Sequence, residues 1–127
     1  MSMERPTVYI VDDDAGVRNS LALLLELHGY QTRAFGSAEA FLEGFDPGAS
    51  GCAIVDLRMP GMSGLEVIKV VSRMSPDIEI ILLTAHGSLE SAIEALRHEA
   101  FDYLLKRGLT PTTTWRCLRV AAARSTI

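Results

Sequence analysis

Five short runs of apolar and β-branched residues recur along the chain, and each is followed by a segment with helical periodicity. The runs are Thr7–Val11, Gln31–Phe35, Cys52–Val55, Ile78–Leu83 and Phe101–Leu105. Strands in which apolar and polar residues barely alternate are typically covered on both faces. The pattern therefore predicts an α/β fold, a doubly wound parallel sheet of five strands with helices on both faces.

Capping residues predict where the helices begin and end. Residues typical of helix N-caps precede the first four predicted helices, at Asp14, Ser37, Ser63 and Ser88. Ser63 is followed by Glu66 in a Ser-x-x-Glu capping box. Gly29 is typical of a residue that ends a helix, here the first one. Thr110-Pro111 indicates the start of a fifth helix, over about residues 110–124.

Length and composition narrow the class of protein. The 127 residues, of which 48% are hydrophobic and 22% charged, predict one globular domain spanning residues 1–127. A net charge of −4 makes nucleic acid and anionic membrane surfaces poor default partners. The sequence contains no membrane-spanning stretch and no secretory signal, so we expect a cytoplasmic protein. Cys52 and Cys117 lack metal-site spacing and are expected to be reduced, packed thiols.

Side chains capable of chemistry follow four of the five predicted strands. Asp12-Asp13-Asp14 follows the first, Asp56 the third, Thr84 the fourth and Lys106 the fifth. In doubly wound sheets, functional groups gather at the carboxyl ends of the strands. Each residue alone also has a structural interpretation, as a cap, a turn, a hydroxyl bonded to the backbone or a surface charge. The combination predicts a functional site at one edge of the sheet.

The residue types predict the chemistry of that site. Two carboxylates about 4 Å apart repel by about 4 kcal/mol at an effective dielectric constant of about 20, so the cluster favours a cation. Oxygen ligands without a placed histidine or cysteine favour Mg²⁺. Carboxylates, Mg²⁺, a lysine and a hydroxyl indicate phosphoryl transfer, with one carboxylate as a nucleophile that forms an aspartyl phosphate. The sequence has no nucleotide-binding glycine motif, so the phosphoryl group must come from elsewhere.

Four segments carry a specific family resemblance. They are Val11-Asp12-Asp13-Asp14, Val55-Asp56-Leu57-Arg58-Met59-Pro60-Gly61-Met62-Ser63-Gly64, Leu83-Thr84-Ala85-His86-Gly87 and Asp102-Tyr103-Leu104-Leu105-Lys106. In this order and spacing they closely resemble the response regulator receiver (CheY-like) family of two-component signalling, over about residues 6–106. The resemblance implies a flavodoxin-like sheet with strand order 2-1-3-4-5. The motifs look most like those of receivers attached to DNA-binding transcription factors.

The resemblance implies a phosphorylation site. Asp56 is the expected phosphoacceptor, which takes its phosphoryl group from the phosphohistidine of a histidine kinase or phosphotransfer protein. Asp12, Asp13, Asp56 and the backbone carbonyl of Arg58 are the expected Mg²⁺ ligands. Such a domain assists its own phosphorylation and dephosphorylation and is not a turnover enzyme.

The resemblance also implies a switch. Lys106 is expected to contact the phosphoryl oxygens and Thr84 to turn its hydroxyl onto them, while Tyr103 swings inward. Arg58 and His86 occupy positions that tune how long phosphorylation lasts. The remodelled face, formed by the fourth helix, fifth strand and fifth helix, is the expected partner or homodimer surface. DNA would be reached only through an output domain absent from this chain, and no membrane is involved.

Two other interpretations stay open at this point. Arg107 stands where the family normally has a proline after its lysine, which is compatible with a degenerate receiver that binds partners without phosphorylation. Asp12-x-Asp14, Thr84 and Lys106 echo a haloacid-dehalogenase-like phosphohydrolase, in which Asp12 would be the nucleophile. That second interpretation leaves the motif around Asp56 unexplained.

Overall fold

The computed structural model describes residues 7–45, 51–75, 77–84, 97 and 102–105, and it describes only the backbone of residues 84 and 102–105. The strands form one parallel sheet of order β2-β1-β3-β4-β5. They are β1 (Thr7–Val11), β2 (Gln31–Phe35), β3 (Gly51–Asp56), β4 (Ile78–Thr84) and β5 (Asp102–Leu105). The described helices are α1 (Ala15–Leu27), α2 (Ala38–Gly44) and α3 (Gly64–Met74). The predicted fold class and strand order are confirmed, and the predicted fourth and fifth helices lie outside the described residues.

The two faces of the sheet are packed into separate buried clusters. Successive side chains of a strand point to opposite faces. Val8 and Ile10 of β1 are buried with side chains of α1, whereas Tyr9 and Val11 are buried with side chains of α2 and α3. Helices therefore cover both faces, as the apolar runs predict.

β2 departs from the prediction that every strand is covered on both faces. Three of its five residues are exposed and two are partly buried. The reason is its place at the edge of the sheet together with its polar residues Gln31 and Arg33. Phe35 anchors the strand, since its ring lies 5.6 Å from that of Phe41 in α2.

The helix ends follow the predicted caps. The side chains of Asp14, Ser37 and Ser63 accept backbone hydrogen bonds at the starts of α1, α2 and α3. Gly29, with φ of 86°, follows the end of α1 in the left-handed conformation that glycine tolerates. None of the helices within the described ranges combines the length and hydrophobicity needed to cross a bilayer.

Candidate functional site

The register of the parallel strands brings two aspartates together. Val11 of β1 pairs with Val55 of β3, so the residues that follow them, Asp12 and Asp56, lie at the same edge of the sheet. Asp56 is itself paired with Leu83 of β4. The site therefore forms at the carboxyl ends of the strands, where the sequence predicts it.

Three carboxylates meet at this edge. One carboxylate oxygen each from Asp12, Asp13 and Asp56 lies within 4.8 Å of the other two. Asp12 and Asp56 are only 0% and 3% exposed, whereas Asp13 is open to solvent. Two unit charges of like sign about 5 Å apart repel by about 3 kcal/mol at an effective dielectric constant of about 20. A bound cation would relieve this repulsion.

The donor set of the cluster fits Mg²⁺. All three donors are carboxylate oxygens, and neither thiolate nor imidazole belongs to the cluster among the described residues. Hard divalent cations take oxygen ligands, and Mg²⁺ commonly binds through one or two carboxylates while keeping several waters. Asp13 is exposed, so the cluster is accessible to such waters from its side.

The loop between β1 and α1 orients Asp12. Its Oδ1 accepts a hydrogen bond from the backbone N–H of Asp14 at 2.8 Å. Its carbonyl oxygen accepts another from Nη1 of Arg18 at 2.7 Å. The carboxylate of Asp14 turns away to cap α1, where its Oδ1 accepts from the N–H groups of Gly16 at 2.8 Å and Val17 at 3.3 Å. Asp14 is thus a helix cap, and Asp12 and Asp13 are the residues of the triplet that enter the cluster.

The loop between β3 and α3 is folded tightly against Asp56. The N–H of Arg58 donates to Oδ1 of Asp56 at 3.3 Å. The N–H of Gly64 donates to the carbonyl of Leu57 at 3.0 Å and closes the loop. A Cβ on Gly64 would lie only 2.6 Å from the carbonyl oxygen of Asp56. The close approach of α3 to the site therefore requires glycine at this position.

The remaining predicted site residues are described in part or not at all. The backbone of Thr84 lies at the carboxyl end of β4, paired with Leu105. The backbone of Tyr103 lies in β5. Lys106 and His86 lie outside the described residues, so the roles of these four residues stay predictions.

Two contacts at the site were not predicted from the sequence. Arg18 holds the Asp12 carbonyl, and Oε1 of Glu39 accepts a hydrogen bond from the N–H of Met62 at 3.3 Å. Both residues stand at helix positions where a charged side chain needs no special explanation, and Glu39 lies in the first turn of α2, where an acidic residue is favoured anyway. No local sequence pattern therefore distinguishes Arg18 and Glu39 from other charged residues on the helices.

Comparison with known proteins identifies the family. Residues 8–112 match the response regulator receiver domain. The chain belongs to the response regulator receiver family. This finding confirms the resemblance and makes the phosphohydrolase interpretation wrong. Receivers of this family are the phosphorylated modules of two-component response regulators, they bind Mg²⁺ at an acidic pocket, and they interact with histidine kinases.

Similar proteins support the assignment. The chain is 42% identical to the transcriptional regulatory protein FixJ of Azorhizobium caulinodans, over 78% of this chain and 47% of that protein. It is 37% identical to the C4-dicarboxylate transport transcriptional regulatory protein DctD of Rhizobium meliloti, over 80% of this chain and 22% of that protein. The crystal structure of FixJ-N superposes with a TM-score of 0.85 at 37% identity, covering 95% of this chain and 96% of that one. The chain thus spans less than half the length of these two regulators.

Proposed function

We propose that residues 1–127 form a single receiver domain in which Asp56 accepts a phosphoryl group with the help of Mg²⁺. The observation that carries the proposal is the convergence of three carboxylates at the carboxyl edge of the sheet. Asp56 ends β3, and its Oδ1 is oriented by the N–H of Arg58. A nucleophile held in this way needs little further ordering before it reacts.

The proposed donor is a phosphohistidine of a histidine kinase or phosphotransfer protein. A carboxylate oxygen of Asp56 forms a bond to phosphorus as the phosphorus–nitrogen bond breaks, and the bonding electron pair returns to the imidazole, which takes up a proton. Asp12, Asp13, Asp56 and the backbone carbonyl of Arg58 would hold the metal. When bound, Mg²⁺ would neutralise negative charge on the carboxylates and on the phosphoryl oxygens. The domain assists its own phosphorylation and hydrolysis and is not a turnover enzyme.

The proposed output is a two-state surface. Phosphorylation replaces the single negative charge of the Asp56 carboxylate with a phosphoryl group that carries about −1.5 to −2 charges. In the proposal, Lys106 contacts the added oxygens, the hydroxyl of Thr84 turns toward them and Tyr103 moves inward. Arg58 and His86 would tune the lifetime of the phosphorylated state. The supporting observation is the position of two backbones: Thr84 lies at the end of β4, which pairs with β3, and Tyr103 lies in β5, which pairs with β4.

The proposed partners follow from the family. The relatives FixJ and DctD are transcriptional regulatory proteins longer than this chain. We therefore propose that the chain acts in the cytoplasm, that its switch surface pairs with a partner or a second copy, and that transcription is regulated through an output domain. Contact with DNA would belong to that output domain.

Labelling with acetyl phosphate tests the proposed phosphoacceptor. With Mg²⁺ present, we expect one phosphoryl group, mapped by mass spectrometry to Asp56, and we expect no label after metal chelation. Asp56→Asn should remove the label without unfolding the domain, whereas Asp14→Asn, which keeps the helix cap, should be labelled like the wild type. Labelling at Asp12 would overturn the proposal, and so would failure of acetyl phosphate and phosphohistidine donors alike, which would favour a degenerate receiver.

A further inference from the structure

A carboxylate of α2 lies directly on the loop between β3 and α3. Oε1 of Glu39 accepts the N–H of Met62 at 3.3 Å, a contact between residues 23 positions apart in sequence. The neighbouring Gly61 has φ of +83°, and a Cβ there would come within 2.9 Å of the same oxygen. Two adjacent loop residues therefore adjoin this carboxylate. Met62 donates a hydrogen bond to it, and Gly61 leaves room for it because glycine has no side chain.

This loop carries the backbone that follows Asp56. Its first part is fixed by the bond from the N–H of Arg58 to Asp56, and its ends are joined by the bond from the N–H of Gly64 to the carbonyl of Leu57. The far part of the loop, at Gly61 and Met62, is where α2 reaches it. Among the hydrogen bonds of the described residues, the one from Met62 to Glu39 ties the loop to α2.

We propose that Glu39 is a positioning residue for the metal site. By holding Gly61 and Met62, it fixes the course of the loop and therefore the direction of the Arg58 carbonyl toward the carboxylate cluster. Groups that orient metal ligands without touching the metal strengthen metal binding. The inference rests on the proposed function, because it takes the Arg58 carbonyl as one of the ligands.

A second effect of Glu39 must be separated from this one. Glu39 lies in the first turn of α2, where its negative charge stabilises the helix whether or not the loop is held. Glu39→Gln removes the charge and keeps an acceptor oxygen at the same reach. Glu39→Asp keeps the charge and shortens the reach. Glu43, exposed one turn later on α2, offers Glu43→Ala as a matched control for the loss of one acidic side chain from the same helix.

Calorimetric titration with Mg²⁺ alone is the test, with circular dichroism to verify that each variant is folded. Loss of a group that orients a metal ligand directly typically weakens metal binding by about 10- to 100-fold, and Glu39 acts on the loop through an exposed bond of 3.3 Å, so Glu39→Ala should weaken Mg²⁺ binding by about three- to tenfold. Glu39→Asp should weaken it similarly. The Mg²⁺ affinities of Glu39→Gln and Glu43→Ala should stay within about twofold of the wild-type value, a smaller change than the loss of a hydrogen bond would cause.

The outcomes distinguish the inference from the proposed function. Wild-type affinity in folded Glu39→Ala overturns the inference and leaves the metal site intact, and so does wild-type affinity in Glu39→Asp. Equal losses in Glu39→Gln and Glu39→Ala overturn it too, because the charge would then be acting and not the bond. A wild-type protein that binds no Mg²⁺ overturns the inference and the metal part of the proposed function together.

Discussion

Gly64 stands where a single methyl group would collide with the backbone of Asp56. The Cβ of an alanine would come within 2.6 Å of the Asp56 carbonyl oxygen and 3.0 Å of Cα of Leu57. Backbone atoms cannot move aside as a flexible side chain can, so α3 or the loop must shift. We expect Gly64→Ala to lower the free energy of unfolding by about 1–3 kcal/mol in urea titrations, the usual cost of overpacking.

Gly16 provides the control for this substitution. A Cβ there would meet only a side-chain oxygen of Asp14, at 3.2 Å, and the position is helical. Alanine is favoured over glycine in a helix by about 1 kcal/mol, which offsets the close contact. Gly16→Ala should therefore change stability by less than Gly64→Ala. Equal stability of Gly64→Ala and the wild type would show that the loop is not packed against α3 as described.

Cys52 is buried in β3 and is not disulfide-bonded. Burial, with a smaller contribution from the charge of Glu79, raises the pKa of its thiol from 9.0 to about 12. Because the thiolate is the reactive form, iodoacetamide should modify Cys52 far more slowly in the native protein than in urea, as followed by mass mapping. Modification of Cys52 at the same rate in both states would contradict its burial.

The same pKa shift determines how the stability of the folded protein changes with pH. Between about pH 9 and 12 the unfolded chain loses the Cys52 proton while the folded protein keeps it. The folded state then binds more protons, so the contribution of this group to stability is complete below pH 9 and falls as the pH rises toward 12.

At the residue scale, the sequence predicted the carboxylates of the site better than the side chains that hold the neighbouring loops in place. Asp12 and Asp56 directly follow apolar runs, so their place at the ends of buried strands could be inferred from local pattern. Arg18 and Glu39 act on backbone groups 6 and 23 positions away, through loop conformations that periodicity does not encode. Contacts of this kind become visible only in three dimensions.

At the element scale, the start of α1 depends on one carboxylate. Oδ1 of Asp14 accepts the N–H groups of Gly16 and Val17. Loss of an N-cap costs about 1 kcal/mol, so Asp14→Ala should lower stability by about that amount in chemical denaturation. Asp14→Ser, which keeps an acceptor oxygen, should restore most of the loss. Equal loss in both variants would mean that the cap does not stabilise the helix.

The strands and helix starts were predictable because each has a strong local signal. The bounds of β1 and β2 match the apolar runs, and Asp14, Ser37 and Ser63 cap the helices as expected. The pattern of apolar runs did not by itself predict the exposure of β2, since such a run becomes an edge or an interior strand according to strand order, which only the family resemblance implied. Tertiary position decides burial in such a short, mixed sequence.

At the scale of the whole molecule, the carboxylate cluster couples metal binding to stability. A ligand that binds only the folded state adds about 2.7 kcal/mol when its concentration is 100 times its dissociation constant. We expect saturating Mg²⁺ to raise the melting temperature of the wild-type protein. Asp13→Asn, at the exposed member of the cluster, should reduce this rise. A wild-type melting temperature insensitive to Mg²⁺ would count against the site.

The central claim is that Asp12, Asp13 and Asp56 gather around one divalent cation beside the phosphoacceptor. Crystals soaked in Mn²⁺, which binds similar oxygen ligands and scatters anomalously, test it most directly. We predict one anomalous peak enclosed by the carboxylates of Asp12, Asp13 and Asp56, at a bonding distance close to that of magnesium–oxygen bonds, about 2.0–2.1 Å. A map without a peak at this edge of the sheet, or with the three carboxylates directed to separate parts of the molecule, would contradict the account.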